Sequence, residues 1–454
     1  MDAARAERSV RDGVRHAIER LIRRRLYYPG SMTRPFAKVS LVDAVGRLHP
    51  GMRVLMQPGC GDPSALVAEI MRQADRLAPL TLMGGLRLDD YPFAAAAYAG
   101  KLRFATWHMS PRLFDAAARG DVDFVPARYF DSVSLFAAGG PWAPDAVLVH
   151  TALPDAAGFL SVGVSAYALP AARRAPLVIA QVNHRMPRTM GQAFLHRSQI
   201  DCWVEIDEPL LAYPPTPIGD VERRIARHVA SLIPDGATIQ AGIGAIPQAI
   251  MEALGDRRDL GVHSLLVEHM LPLVEQGVIT NAKKRVHPGR MDIGEIMGTP
   301  RLFDWAHGNR AINMEPSDTL HDPQVVAALG AFVSVNSALE VDLLGQVNAE
   351  SVEGRQMAGI GGQFDFVLGA SRAPGGRSII ALPSTGKGGS LSRIVRRLPA
   401  GARVTTPRYL MDCVVTEHGV AELAGKSDAG RARELVRIAH PAYRDALERD
   451  DARS

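Results

Sequence analysis

Two widely separated stretches of this chain open in the same way. "RVLMQPGCGDPSALVAEI" starts at Arg53 and "ATIQAGIGAIPQAIMEAL" at Ala237. Each is a short apolar β-run, then glycines, then a helical pattern with a proline in its first turn, Pro63 or Pro247. Glycines where a strand turns into a helix are the mark of an α/β unit, and the recurrence predicts an internal duplication. Between the two openings the alternation continues through "LTLMGGL", "RFATW" and "DFVP". "AVLVHTALPD" and "APLVIAQVN" are near-continuous apolar runs, as expected of parallel strands covered on both faces. The expected fold class is α/β, with two similar open domains in tandem.

The Pro-rich "YPPTPIGD" at 213–220 interrupts the pattern and precedes the amphipathic "VERRIARHVASLI". It divides the chain into a basic helical extension (1–30), a first α/β domain (31–212) and a second (217–454). An apolar fraction of 47% with 22% charged residues supports sizeable cores. A net charge of +4 from 52 basic and 48 acidic residues, without a basic stripe, argues against a nucleic-acid partner. Three dispersed cysteines lack ligand spacing, which points to a reducing, cytoplasmic setting and no structural metal. No apolar run is long enough to span a membrane. The segment "MDAARAERSVRDGVRHAIERLIRRRLYYPG" lacks a signal peptide's apolar core, and its acidic residues disfavour a transit peptide. A docked or solvated helix is preferred there over one lying on a membrane.

Several stretches carry residues suited to chemistry. "GIGGQFDFVLGA" (359–370) places Gly359, Gly361 and Gly362 before what reads as an alternating aromatic strand. Such glycines permit close backbone approach, and successive N–H groups can face an anion or an oxyanion. "AGIGAIP" (241–247) sets Gly242 and Gly244 at a helix start, favourable for anions, but Pro247 stands where a dinucleotide fingerprint needs glycine. "SVNSALEVDLLGQVNAES" (334–351) holds Asn336 among enough polar residues to suggest a polar cleft. "VVTEHGVAEL" sets Glu417 between a β-branched run and a glycine turn, and "QVNHRMPRTMGQAFLHRSQID" puts His184, Arg185, Arg188 and His196 near a strand end.

Together with "SPRLFDAAARGDVDFVP", "GVITNAKK" and "SIIALPSTGKGG", these stretches resemble the acetyl-CoA hydrolase/transferase family, from about Arg34 to His440. That family includes the 4-hydroxybutyrate, butyrate and succinyl-CoA:acetate CoA-transferases. The resemblance implies two CoA-transferase-like domains with the CoA loop in the second, a homodimer, and no permanently bound cofactor. Acyl-CoA and a carboxylate or other acyl acceptor would be the substrates. It further implies a ping-pong cycle in which a glutamate attacks the thioester and then carries CoA as a glutamyl thioester. By the same resemblance Gly361, Gly362 and Gln363 belong to the CoA site and its oxyanion donors. The Ile243 N–H is a second donor, while Asn336 and Glu417 line the acyl pocket and orient the nucleophile.

The chain departs from the family where the nucleophile belongs. In "GVHSLLVEHMLPLVEQGVITN" (261–281), counting from His263 puts Leu265 at that position, and counting back from Gly277 puts Ser264 there. Three readings follow. Glu268, about one helical turn away, reaches the site and transfer proceeds. Alternatively Ser264, with His263 or His269 as base, takes the acyl group, and the outcome is hydrolysis or acyl transfer. In the third, the chain binds acyl-CoA without turnover. Leu368, where the family commonly has arginine, and "LLV" at 265–267 point to a greasier acyl group than acetate. An acyl carrier protein is a further candidate partner for the basic extension.

Overall fold

The computed structural model describes residues 33–449. The helix expected over 1–30 lies outside the described residues. The first sheet contains β1 (Ala37–Lys38), β2 (Arg53–Met56), β3 (Leu80–Gly84), β4 (Leu102–Thr106), β5 (Val122–Phe124), β6 (Ala146–Thr151), β7 (Leu177–Asn183) and β8 (Cys202–Ile206). Its spatial order is β1-β8-β7-β6-β2-β3-β4-β5, and every pairing is parallel.

The second sheet contains β9 (Thr238–Ala241), β10 (Gly261–Val267), β11 (Met291–Met297), β12 (Ile312–Met314), β13 (Phe332–Asn336), β14 (Arg377–Ala381), β15 (Cys413–Thr416) and β16 (Gly419–Glu422). Its order is β12-β11-β10-β9-β13-β14-β15-β16, parallel except for the terminal β15–β16 hairpin. Apart from the edge strand β1, each sheet begins at its middle, adds three strands to one side and then returns to the other side, so the duplication is one of topology. All six residues of β6 are buried, as the unbroken apolar run requires of a strand covered on both faces. Helices α1 (Ser64–Arg72) and α2 (Ala245–Glu252) follow the two glycine turns at equivalent places, and α3 (Pro300–Ala306) follows β11. No helix among the described residues is long and apolar enough to cross a membrane.

The segment after the glycine cluster differs from the sequence expectation. Residues Gln363–Arg372 form a helix, α4, and not an aromatic strand. Phe364 and Phe366 alternate over too few residues to define a period, whereas Gly362 starts the helix, and Gly369 lets it pack tightly on Val326.

One apolar core runs through both domains, from Val147 and Val178 to Val262 and Ile293. Backbone bonds reinforce the junction. The amide of Ala166 donates to Gly294 O, and that of Ile296 donates to Val164 O, each at 2.8 Å. A piece of the first domain thus lies alongside the outer half of β11. Further along the junction, Met314 N donates to Met190 O and Tyr129 N to Gly361 O.

A buried polar cluster fixes the opposite halves of β10, β11 and β12. The Lys284 ammonium donates to Asp292 Oδ2 (2.6 Å), Arg290 O (2.8 Å) and Val262 O (3.1 Å), while Asn313 and His287 bond Asp292 Oδ1. Burial works against the Asp292 charge, but Lys284 and His287 hold its carboxyl below the ordinary range. Removing one partner strands the other charge in the core. Lys284→Met should therefore lower stability by about 3–5 kcal/mol, measured by urea unfolding; a loss under about 1 kcal/mol would contradict the assignment.

Candidate active site

In an open α/β sheet, ligands bind beyond the carboxyl ends of the strands where the strand order reverses. In the second domain that point lies between β9 and β13. Gly242, Ile243 and Gly244 follow β9 directly, and all three are partly accessible. Gly244 has φ of +108°, which suits glycine, and leads into α2. Among the described residues the Ile243 N–H donates to no protein acceptor, so it is free to meet a ligand oxygen. Asn336, at the end of β13, donates to Ser334 Oγ (2.8 Å) and to Gln240 Oε1 (3.2 Å), so these three polar side chains form one cluster across β9 and β13. The other polar groups of 334–351 are used locally, Asp342 with Gln346 and Asn348 with Ser351.

The glycine cluster is wedged against the first domain. A Cβ on Gly359 would lie 1.9 Å from Trp107 O, and one on Gly362 would lie 2.6 Å from the Phe366 ring and 2.7 Å from the His321 ring. Gly361 has φ of +57° and passes its carbonyl to Tyr129 N. Only glycine permits these approaches. Gln363 donates to Thr406 Oγ1 at 3.1 Å. Glu417 is buried after β15, and its carboxylate accepts from both Ser384 Oγ (2.6 Å) and Ser384 N (2.8 Å). Burial alone would raise its pKa, but the Ser384 bonds leave it below the ordinary value. It is a fixed, ionised carboxylate. The basic residues of 181–201 are taken up elsewhere: His184 bonds Glu205, Arg185 bonds Asp207, Arg188 bonds Asp155, and His196 caps a short turn.

The candidates in 261–281 occupy different settings. Ser264 has φ of +84°, at a break in register between β10 and β11, an uncommon conformation for a residue other than glycine. No hydrogen bond joins its hydroxyl to an imidazole among the described residues. His263 Nε2 is bonded to Leu320 O, and His269 Nε2 has no partner. Burial pushes both imidazoles down to about 4, which leaves them weak bases. Glu268 accepts from Thr299 N and Thr299 Oγ1, both at 2.9 Å. Its carboxylate caps the start of α3, where the helix dipole favours negative charge.

The register of the sheet brings a further carboxylate to this place. Leu265 pairs with Glu295 on β11, and register partners in parallel strands face the same side. Ser165 Oγ, from the first domain, donates to Glu295 Oε1 at 2.6 Å. The first domain's own glycine turn covers the other oxygen, since a Cβ on Gly59 would stand 3.6 Å from Oε2. Glu295 is enclosed by protein yet partly accessible, as a group on the floor of a cleft is. Among the described residues it has no cationic partner, so burial raises its pKa well above the ordinary carboxyl value, and the Ser165 bond offsets only part of that. Burial likewise lifts the nearby Cys60 thiol to about 12, against a Gly298 bond and with the Glu295 charge adding to the rise.

Comparison with known proteins matches this arrangement over most of the chain. Residues 24–213 fit the acetyl-CoA hydrolase/transferase N-terminal domain, and residues 298–451 fit the C-terminal domain. The 4-hydroxybutyrate coenzyme A transferase of Clostridium kluyveri is 40% identical over 411 residues, covering 90% of this chain and 96% of that one. The succinyl-CoA:cyclohexane-1-carboxylate CoA transferase of Geobacter metallireducens is 38% identical over 410 residues, covering 90% and 93%. The crystal structure of RipA from Yersinia pestis superposes with a TM-score of 0.85 at 31% identity, covering 90% and 96%.

The chain belongs to the acetyl-CoA hydrolase/transferase family. Both family domains are present: the first sheet lies within one match, and β12 to β16 of the second lie within the other. Strands β9 to β11, with Leu265 and Glu295, lie in the interval 214–297 that neither domain match includes. Glu295 escaped the sequence reading, although "MDIGEIMGTP" carried a signal: a glutamate at the centre of a strand that must be covered on both faces.

A group whose folded pKa is raised binds its proton more tightly in the folded state, so stability falls as pH climbs from the ordinary carboxyl value through the raised one. Glu295→Gln cannot ionise and escapes that loss. The variant's melting temperature relative to wild type should rise between pH 5 and pH 8; a difference independent of pH would mean that Glu295 is not held toward its neutral form.

Proposed function

We propose that this protein moves coenzyme A between an acyl-CoA and a carboxylic acid, carrying the acyl group and then CoA on a carboxylate of its own. The observation that supports this over the serine route is the setting of Ser264. Its hydroxyl has no bonded imidazole, and the two nearest histidines in sequence are poor bases, so nothing activates it as a nucleophile. A carboxylate nucleophile needs no base. It attacks the thioester to give a mixed anhydride, and returning CoA converts that to a glutamyl thioester, which the acceptor carboxylate opens in turn.

Within this reading Ile243, Gly244, Gly359, Gly361, Gly362 and Gln363 hold CoA and face the oxyanion, while Asn336 and Glu417 line the acyl side. Glu268 supports the wall through Thr299. Leu265 and Leu368 favour an acid with more apolar surface than acetate, in keeping with the substrate in the name of the Geobacter relative. We take the working unit to be a cytoplasmic homodimer, with 31–212 and 217–454 as its domains, and the basic segment 1–30 as the place where an acidic acyl carrier protein would dock.

The test is intact-protein mass spectrometry after mixing with acetyl-CoA or butyryl-CoA. A CoA-sized adduct that hydroxylamine removes and added carboxylate discharges is expected. Steady CoA release without an acceptor would make the protein a hydrolase. An acyl-sized adduct lost in Ser264→Ala would restore the serine route, and binding without any product would leave a non-catalytic relative.

A further inference from the structure

Glu295 is unusual in a way that the fold does not require. An interior strand covered on both faces normally carries apolar residues, and the neighbours Ile293, Ile296 and Met297 are all buried apolar side chains. A carboxyl group placed there without a cation opposes folding once it ionises. Asp292 has Lys284 and Asp62 has Arg87; Glu315, bonded by Asn313 without a salt bridge among the described residues, is closed off from solvent. Among the described residues Glu295 has one hydroxyl donor and no cation, and it keeps an opening to solvent. Unmatched groups of this kind concentrate where chemistry is done.

Its position matches the departure seen in the sequence. Counted from His263, the nucleophile's place on β10 holds Leu265, and the residue directly across the ladder is Glu295. Adjacent strands lie about 4.8 Å apart, so the carboxyl has moved one strand sideways on the same face of the sheet. Such a shift is harmful unless the surroundings move with it. Here they come from the first domain. Ser165 donates to one carboxyl oxygen, and Gly59 packs beside the other. Tyr129 takes the Gly361 carbonyl, and its ring lies 5.0 Å from that of Tyr167, which stacks on Trp107 at 5.3 Å. Trp107 in turn supports Gly359. The Glu295 charge acts on both Tyr129 and Tyr167, so the glycine cluster and Glu295 border the same aromatic wall.

We infer that Glu295, one strand away from the vacated position at Leu265, is the carboxylate that carries the acyl group and CoA in this protein. The inference rests on the transfer reading above. A Glu295 oxygen bonds to the thioester carbonyl carbon, the C–S bond breaks, and the carboxyl proton leaves with the sulfur as CoA thiol. The thiol sulfur then attacks the glutamyl carbonyl. The anhydride C–O bond breaks, and the released acid takes up the proton. Both covalent forms of Glu295 are uncharged, so a setting that disfavours its carboxylate ion favours them relative to that ion.

The experiment compares wild type, Glu295→Gln and the exchange variant Leu265→Glu with Glu295→Leu, using butyryl-CoA with acetate as acceptor. Folding of each is checked by thermal unfolding. Glu295→Gln should lose transfer by at least about a thousandfold, together with the CoA-sized adduct. The exchange variant should recover part of both, with the adduct on the peptide spanning 261–267. Transfer retained within tenfold in Glu295→Gln, or an adduct that persists in it, would overturn the role of Glu295 and leave the transfer reading standing. An exchange variant that folds and stays without adduct counts against the sideways shift. Wild type that forms no adduct and moves no CoA would remove the transfer reading and this role together.

Discussion

Two backbone hydrogen bonds, Ala166 N to Gly294 O and Ile296 N to Val164 O, fix how the two domains meet beside Glu295. They join a loop of the first domain to the outer half of β11, in the way a further strand would. With that strand held, Ser165 is delivered to Glu295, and the first domain's glycine turn closes over it. The continuous apolar core behind the junction makes the pairing rigid, so the cleft is set by the fold and not by loops alone.

The same strand divides its polar work between two ends. Toward its start, Asp292 is charged, buried and matched by Lys284, His287 and Asn313, an arrangement that strengthens the sheet. Three residues on, Glu295 is enclosed without a cation, an arrangement that weakens the sheet whenever it ionises. On the role proposed for Glu295, the contrast separates a structural carboxylate from one kept for reactivity at a cost in stability. Ser264, with its left-handed backbone at the register break next to Leu265, is a second strained feature within the same few residues.

Much of this was legible in the sequence, because α/β units leave strong local signals. The two glycine turns, the proline-rich linker and the apolar parallel strands all have short-range causes, and the repeated opening led to the repeated topology. The glycine cluster and the end of β13 were recognised for the same reason. The helix after Gly362 was misread, since two phenylalanines in a window of four satisfy a strand period as well as a helical one. Glu295 was missed for a different reason. It lies thirty positions from Leu265 in the chain, and only strand register, a non-local property, places them side by side.

The most direct measurement of the central claim is to locate the modified residue itself. Wild-type protein would be incubated with butyryl-CoA, quenched with hydroxylamine, digested and sequenced by mass spectrometry. A hydroxamate on Glu295, in the peptide from Met291 to Arg301, is the predicted result. A hydroxamate on Glu268, Glu417 or any other carboxylate, with Glu295 unmodified, would contradict the account.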